Sequence, residues 1–329
     1  MAGKRSDHYS GIGGQAVLEG VMMRNKNRYA VAVRTPDNDI NVAVEEYVPF
    51  GPDNFIAKLP FIRGVFAFID SMILGIKTLN YSAAFYEEED LRTKRRQKKK
   101  LLDRILGDKA EGFLSTVTVI FSLILAIGIF MLLPYFISDF LRRFIVSDTV
   151  IAITEGVIRI VIFVMYLLLI SLMSDIKRTF MYHGAEHKCI NCIETGNALT
   201  VENVMRASRQ HKRCGTSFMF LVVFISIILF MFIRVEEPVL RVVIRLLLIP
   251  VISGISYEII RLAGRYDNFL IRLISSPGML LQKLTTREPD EKMAEVAIAS
   301  VEAVFDWRAY LLKEFRIEIP YEEEVDYYA

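Results

Sequence analysis

The chain has 329 residues, 53% of them hydrophobic, a positive mean hydropathy and a formal net charge of only +2. So much apolar sequence argues against an ordinary soluble globular domain and makes a membrane protein the first reading. The near-neutral balance gives no ground for a nucleic-acid partner. Three cysteines cannot all pair with one another, so reduced thiols are expected rather than a disulfide framework.

Residues 1–10 are polar and charged without an apolar core, so no signal peptide is expected there. Residues 1–55 read as a small cytoplasmic antiparallel β unit. From Arg28 to Arg34 the chain alternates, with Tyr29, Val31 and Val33 on one side; Thr35-Pro36-Asp37-Asn38-Asp39 is a turn, and Ile40, Val42 and Val44 resume the period of two. Upstream, Gly13-Gly14 and Gly20 would let the backbone approach a ligand closely, although a bulged first strand is the simpler account of the pattern alone. Glu19 is the lone polar residue in an apolar run and needs a partner if buried.

Residues 56–85 form an amphipathic or interfacial helix, on which Arg63, Asp70 and Lys77, seven apart, share a narrow charged stripe. A spanning helix is disfavoured, because Asp70 would sit near the bilayer centre. Residues 86–112 are a charged linker whose basic run suits anionic headgroups better than RNA, since no aromatics interleave it.

Residues 113–262 read as a four-span membrane domain, with spans at 113–137, 150–174, 215–233 and 238–261. Glu155 and Arg159, four apart, are placed to pair on one face of the second. Arg245, Pro250 and Gly254 interrupt the fourth. The basic residues of the 175–214 connection and of the linker orient the spans with both termini cytoplasmic, making a multi-pass protein of the cell membrane. Residues 263–329 hold an interfacial segment broken at Pro277-Gly278, then a cytoplasmic helix marked by Met293, Ala297, Val301 and Val304, and an acidic tail. The expected fold class is therefore an α-helical polytopic membrane protein with a small cytoplasmic antiparallel β unit.

Six of the seven His and Cys residues fall between 183 and 214. On a helix His183 and His187 point the same way and can share one ion. With Glu186 the string reads H-x-x-E-H, in which the Glu serves as base beside two metal ligands. His211 and Cys214 before the third span, and Glu258 at the end of the fourth, reach the same membrane face and are candidates for further ligands. Cys189 and Cys192 form a C-x-x-C, which would close the shell and make the ion structural if both bound. Four histidines are too few for a di-iron desaturase.

Several stretches resemble the YqhQ-like bacterial membrane proteins. They are Gly13-Gly14-Gln15-Ala16-Val17-Leu18-Glu19-Gly20-Val21-Met22-Met23-Arg24, Arg63-Gly64-Val65 through Asn80-Tyr81-Ser82-Ala83, and His183-Gly184-Ala185-Glu186-His187-Lys188. Arg213-Cys214-Gly215-Thr216-Ser217-Phe218 and Gln282-Lys283-Leu284-Thr285-Thr286-Arg287-Glu288-Pro289 complete the set. The resemblance spans nearly the whole chain. It implies a metal-dependent enzyme without naming a substrate, and it shifts Gly13-Gly14 and Glu19 towards functional roles. In the family pattern His211 is followed by proline, where this chain has Lys212, and thiols at 189 and 192 are not required; both points favour His211 and Cys214 over the C-x-x-C.

Taken together, the expectation is a metal-dependent hydrolase at the cytoplasmic membrane face, acting on a peptide or lipid-linked substrate. A divalent metal, zinc, would be held by His183, His187, His211, Cys214 and Glu258 as candidate ligands, with Glu186 and Glu19 as catalytic candidates. The alternatives are a membrane scaffold clamped by a structural metal, and a transporter motivated by Arg245, Pro250 and Gly254.

Overall fold

The structure, a computed structural model, describes residues 8–51, 55–86, 110–233, 235, 237–264, 266 and 268–320. The basic run after residue 87 and the acidic tail after 320 fall outside the described residues. The chain forms two compact units, one from Met1–Ala83, Ser171–Leu221 and Ser253–Ala329, the other from Ala84–Ile170 and Val222–Ile252. It is mostly helical, with one small antiparallel sheet.

The first unit begins with strands β1 (Gly13–Val17), β2 (Gly20–Asn25), β3 (Arg28–Arg34) and β4 (Ile40–Glu46), paired in chain order as an antiparallel meander. Short polar turns close the hairpins, with Glu19, Lys26 and Asn38 at positive φ. The alternation expected along β3 is present, yet every residue from Tyr29 to Val33 is buried, because both faces are covered. Helix α12 (Glu291–Glu302) lies on β2 and β3, where Ser300 Oγ donates to the Ala30 carbonyl at 3.2 Å. Helix α2 (Ile62–Ala83), preceded by the short helix α1 (Phe55–Lys58), meets β1 and β3. Gln15 Nε2 donates to Thr78 Oγ1 at 2.7 Å, and the Leu18 amide to Ser82 Oγ at 3.1 Å.

The charged stripe of α2 is accounted for residue by residue. Asp70 is buried, paired with Arg24 at 3.1 Å and accepting from the Phe50 amide at 2.7 Å; Lys77 bonds Glu45 on β4, and Arg63 bonds Glu258. The apolar side, with Phe68, Met72, Ile73, Ile76 and Leu79, is exposed. At the centre of this unit runs α6 (Ser174–Glu194), followed by α7 (Val201–Arg206). Tyr182, Ala185, Cys189, Ile190, Cys192 and Ile193 of α6 join Val21, Met23 and Ala32 of the sheet, Met293, Ala297 and Val301 of α12, and Trp307 and Leu311 of α13 (Trp307–Phe315) in one apolar core.

Among the described residues, four helical stretches are long and apolar enough to cross a membrane: Thr116–Leu141, Thr149–Ile170, Gly215–Phe232 and Val239–Ala263. The first is built from α3 (Ala110–Ile127), a π-helical turn at Gly128–Leu132, and α4 (Leu133–Leu141). Pro134 follows that turn and has no N–H to return to the preceding helix, a common setting for such widening. The second is α5 (Asp148–Ile170) and the third α8 (Gly215–Phe232). The fourth is interrupted less than its sequence implies. Helices α9 (Pro238–Leu247) and α10 (Ile249–Ala263) meet at Leu248, whose amide still reaches the Ile244 carbonyl at 3.0 Å. The expected break at Pro277-Gly278 is absent: α11 runs unbroken from Phe269 to Thr285. Gly278 lies against Ser217, so close that a Cβ there would strike its side chain.

Spin labels placed at Met72 and Ile76 are expected to report lipid when the protein sits in liposomes, while one at Lys77 reports water. Equal water exposure at all three would contradict the exposed side of α2 being a membrane-facing surface.

Candidate metal centre

Helix α6 places His183 and His187 one turn apart, with ring centroids 4.4 Å from each other. Each ring commits one nitrogen to the main chain. His183 Nδ1–H donates to the Thr285 carbonyl at 2.9 Å, and His187 Nδ1–H to the Arg209 carbonyl at 2.7 Å. A carbonyl only accepts, so each Nδ1 carries a proton and Nε2 is the nitrogen left for other partners. This is the outer-shell arrangement that orients metal-binding histidines. Facing them is Cys214, which immediately precedes α8, with Sγ 3.2 Å from His183 Nε2. The Thr216 amide, in the first turn of α8, points at this sulfur from 3.4 Å, and an N-terminal turn favours negative charge. One ligand atom from each of His183, His187 and Cys214 lies within 4.8 Å of the others.

Glu186 completes the wall. Its Oε2 is 3.8 Å from His183 Nε2 and 4.0 Å from His187 Nε2, and its side chain is only 5% exposed. Charges follow from this geometry. Burial alone would lower the His183 pKa, but Cys214 and Glu186 outweigh it and raise it to about 9. His187 is raised by the same neighbours against the same burial. Burial pushes the Cys214 thiol up, yet the two imidazoles hold it well below its ordinary value. With its pKa so raised, His183 shares its Nε2 proton with the Cys214 thiolate near neutral pH, and an ion bound here would have to take that proton's place. Nitrogen and sulfur donors in this number fit zinc.

The surrounding chain holds these groups in place. Lys188 is buried and donates to the Met205 and Ala207 carbonyls at 2.8 and 2.9 Å, while Asn191 Nδ2 donates to those of Ser208 and Gln210 at 2.6 and 2.9 Å. These bonds pin the segment that carries the Arg209 carbonyl. Arg209 in turn donates to the Thr286 carbonyl at 3.1 Å, and the Arg287 amide bonds the Phe180 carbonyl at 2.8 Å. Gly184 permits that approach, since a Cβ there would overlap the Arg287 carbonyl oxygen. Gly14 on β1 is fitted first to its own sheet: a Cβ there would strike the Met22 carbonyl oxygen and the Met23 sulfur, and beyond them crowd Glu186 Cγ. The tightest approach at Gly14 is thus to β2 and only then to Glu186, and a Cβ at Gly13 would meet nothing within 4 Å.

Other candidates lie outside this group. His211 Nε2 faces Glu194 Oε2 at 3.4 Å and Arg213 at 3.2 Å, and burial lowers its pKa. Glu194 also accepts from the Ser10 amide and hydroxyl and from Arg213; against its burial, His211 and Arg213 bring its pKa down to about 2. Glu258 is taken by Arg63, as an ion pair at the end of α2, and does not reach the histidines. Glu19 sits in the β1–β2 turn, where it pairs with Arg178 and accepts from Tyr182 Oη at 3.3 Å; it is a tie between sheet and α6. Cys189 and Cys192 point into the apolar core, both 0% exposed, and Cys192 Sγ meets the Ala198 carbonyl at 3.3 Å. Burial raises both thiols, Cys192 to about 11, which suits neutral packing groups and not ligands. Thr285 and Arg209 have no sequence signal as site residues, because only their main-chain oxygens act.

An apolar helical chain with a small sheet and a buried His-His-Cys group defines a class but no chemistry by itself. Residues 59–307 match the family described as "Protein of unknown function (DUF1385)", and the chain belongs to this family. It is 35% identical over 293 residues to the "Uncharacterized protein YqhQ" of Bacillus subtilis (strain 168), covering 88% of this chain and 90% of that relative. No solved structure matches. The YqhQ-like resemblance is thereby established, while neither description carries the metal-dependent enzyme that the resemblance implies.

Helix propensity alone says that Gly184→Ala should stabilise α6 by up to about 1 kcal/mol. The overlap with Arg287 says the reverse. The substitution is expected to lower the melting temperature of the purified protein, and a rise would contradict the close approach at this site.

Proposed function

We propose that this chain is a multi-pass protein of the cell membrane, with both termini and the His/Cys connection at the cytoplasmic face. It holds a divalent ion, zinc by its donors, on His183, His187 and Cys214, and hydrolyses a peptide or lipid-linked substrate there. The observation that carries the reading is the convergence of one ligand atom each from His183, His187 and Cys214 within 4.8 Å, beside the Glu186 carboxylate. An ion held by these three groups would supply Lewis acidity to a substrate carbonyl and to the attacking water. Glu186, beside both histidines, would be the base for the attacking water and would return that proton to the leaving group. The Thr285 and Arg209 carbonyls hold each imidazole by Nδ1, so that Nε2 is the nitrogen available to an ion. Gly14 leaves room for Glu186 to stay at the pocket wall.

A second reading has its own support. The His187 side chain is 2% exposed, and the donors and their supports come from α6, the start of α8 and the end of α11. Such burial suits an ion that clamps chain segments together and does no chemistry, with Glu186 as fourth ligand.

The two readings separate on two variants. In the hydrolase, His187→Ala loses metal, Glu186→Gln keeps it, and both fail to complement a strain lacking the gene. In the clamp, Glu186→Gln complements or, if Glu186 is a ligand, empties the site and lowers thermal stability as His187→Ala does. Metal content by elemental mass spectrometry, melting temperature and complementation are the readouts. Full metal content in both His183→Ala and His187→Ala would exclude either reading.

A further inference from the structure

The second unit contains a charged cluster that the metal centre does not use. Glu155 and Arg159 of α5 pair at 2.8 Å, as their spacing implies, but the carboxylate is shared. Arg245 of α9 forks onto it, with Nη1 at 2.6 Å from Oε1 and Nη2 at 3.0 Å from Oε2. Arg159 Nη1 donates to Ser226 Oγ of α8 at 3.3 Å. All three charged residues are buried. One carboxylate therefore faces two guanidiniums, which leaves a surplus positive charge among the described residues. Both guanidiniums share the Glu155 carboxylate, Arg245 through both oxygens and Arg159 through Oε1 alone, so one positive charge is left over; Arg159 is the less fully held, and its buried Nε has no hydrogen-bond partner.

Beside this charge is a cavity of about 20 Å³, lined by Glu155, Arg159, Arg245, Gly156, Phe230 and Met231 among others. Both guanidiniums lie against the Phe230 ring, at 5.0 and 4.8 Å. A ring face eases a desolvated cation without cancelling its charge. Glu155 and Arg159 fall in the first half of Thr149–Ile170, Arg245 in the first half of Val239–Ala263, and Ser226 in the second half of Gly215–Phe232. Successive spans alternate in direction, so these positions share one depth. For Arg245 that is roughly 10 Å from the start of its span at 1.5 Å per residue. An uncompensated guanidinium at that depth is strongly disfavoured unless an anion reaches it.

We propose that this cluster is a binding site for a phosphate-type oxyanion, which places one oxygen in the cavity against Arg159. Arginine suits this ligand because its planar edge presents parallel N–H donors to oxyanions. The cavity admits only an atom-sized group, so the remainder of the phosphate stays at its mouth. The phosphate of an anionic lipid headgroup and free inorganic phosphate share this chemistry. The proposal rests on the second unit and on the membrane-spanning reading proposed above, and it stands whether or not the metal centre is catalytic.

The test uses the full-length protein in neutral detergent. Melting temperature is followed against inorganic phosphate, against phosphatidylglycerol with phosphatidylcholine as its uncharged control, and against chloride at matched ionic strength. Saturable stabilisation by inorganic phosphate identifies the free ion as sufficient, and stabilisation by phosphatidylglycerol alone identifies the lipid; either supports the site. Arg159→Gln should weaken the apparent affinity by about tenfold or more, and Arg159→Lys by less. Native mass spectrometry of the wild type reads binding directly should Arg159→Gln fail to fold. No saturable binding by either phosphate source, an equal response to chloride, or an unchanged response in a folded Arg159→Gln protein would overturn the proposal.

Discussion

The site depends on two hydrogen bonds to main-chain oxygens. His183 gives its Nδ1 proton to Thr285, and His187 gives its own to Arg209. An imidazole so anchored has one orientation, and its remaining nitrogen points where the helix aims it. Everything nearby serves to keep those two carbonyls still. Lys188 and Asn191 fix the 205–210 segment, Gln282 clamps His211 by its main-chain amide and carbonyl at 2.9 and 2.7 Å, and Arg209 ties one carbonyl-bearing strand of chain to the other. The thiolate and carboxylate opposite raise the pKa of both imidazoles, so protons on the rings balance their charge, and a bound cation would do so in the protons' place.

Much of this was legible because it is periodic. The alternation around a Pro-Asp-Asn turn marks β3 and β4, the seven-residue spacing of Arg63, Asp70 and Lys77 marks one face of α2, and four-residue spacing pairs His183 with His187 and Glu155 with Arg159. Partners from distant segments were not legible. Glu258 has the position of a ligand at the end of a span, yet Arg63 captures it; His211 has the chemistry, yet Glu194 and Arg213 engage its ring. Periodicity says which way a side chain points along its own helix and nothing of what another helix brings to meet it. Pro277 misleads for a related reason: proline weakens a helix locally, yet α11 is continuous through it, and Gly278 beside it packs closely against Ser217 of α8.

Glycine carries a further lesson at two positions. Gly184 inside α6 is a poor helix former, and Gly14 in an edge strand is a poor strand former. At Gly184 the missing Cβ lets the Arg287 carbonyl come in; at Gly14 it makes room for the Met22 carbonyl and Met23 sulfur of β2 and, less tightly, for Glu186. Local propensity is surrendered where the centre is assembled, which is the pattern expected at a functional site. The buried Arg-Glu-Arg group of the second unit is a separate exception of the same kind, with charge placed where apolar packing would be simpler.

The account turns on whether His183, His187 and Cys214 bind one ion together. X-ray absorption at the zinc edge of the purified protein tests this directly. The account predicts two nitrogen scatterers at about 2.0–2.1 Å and a single sulfur at about 2.3 Å, with any remaining ligand an oxygen. A shell with no sulfur, or with two or more, would contradict it, the latter by bringing in thiols that the fold buries in its apolar core.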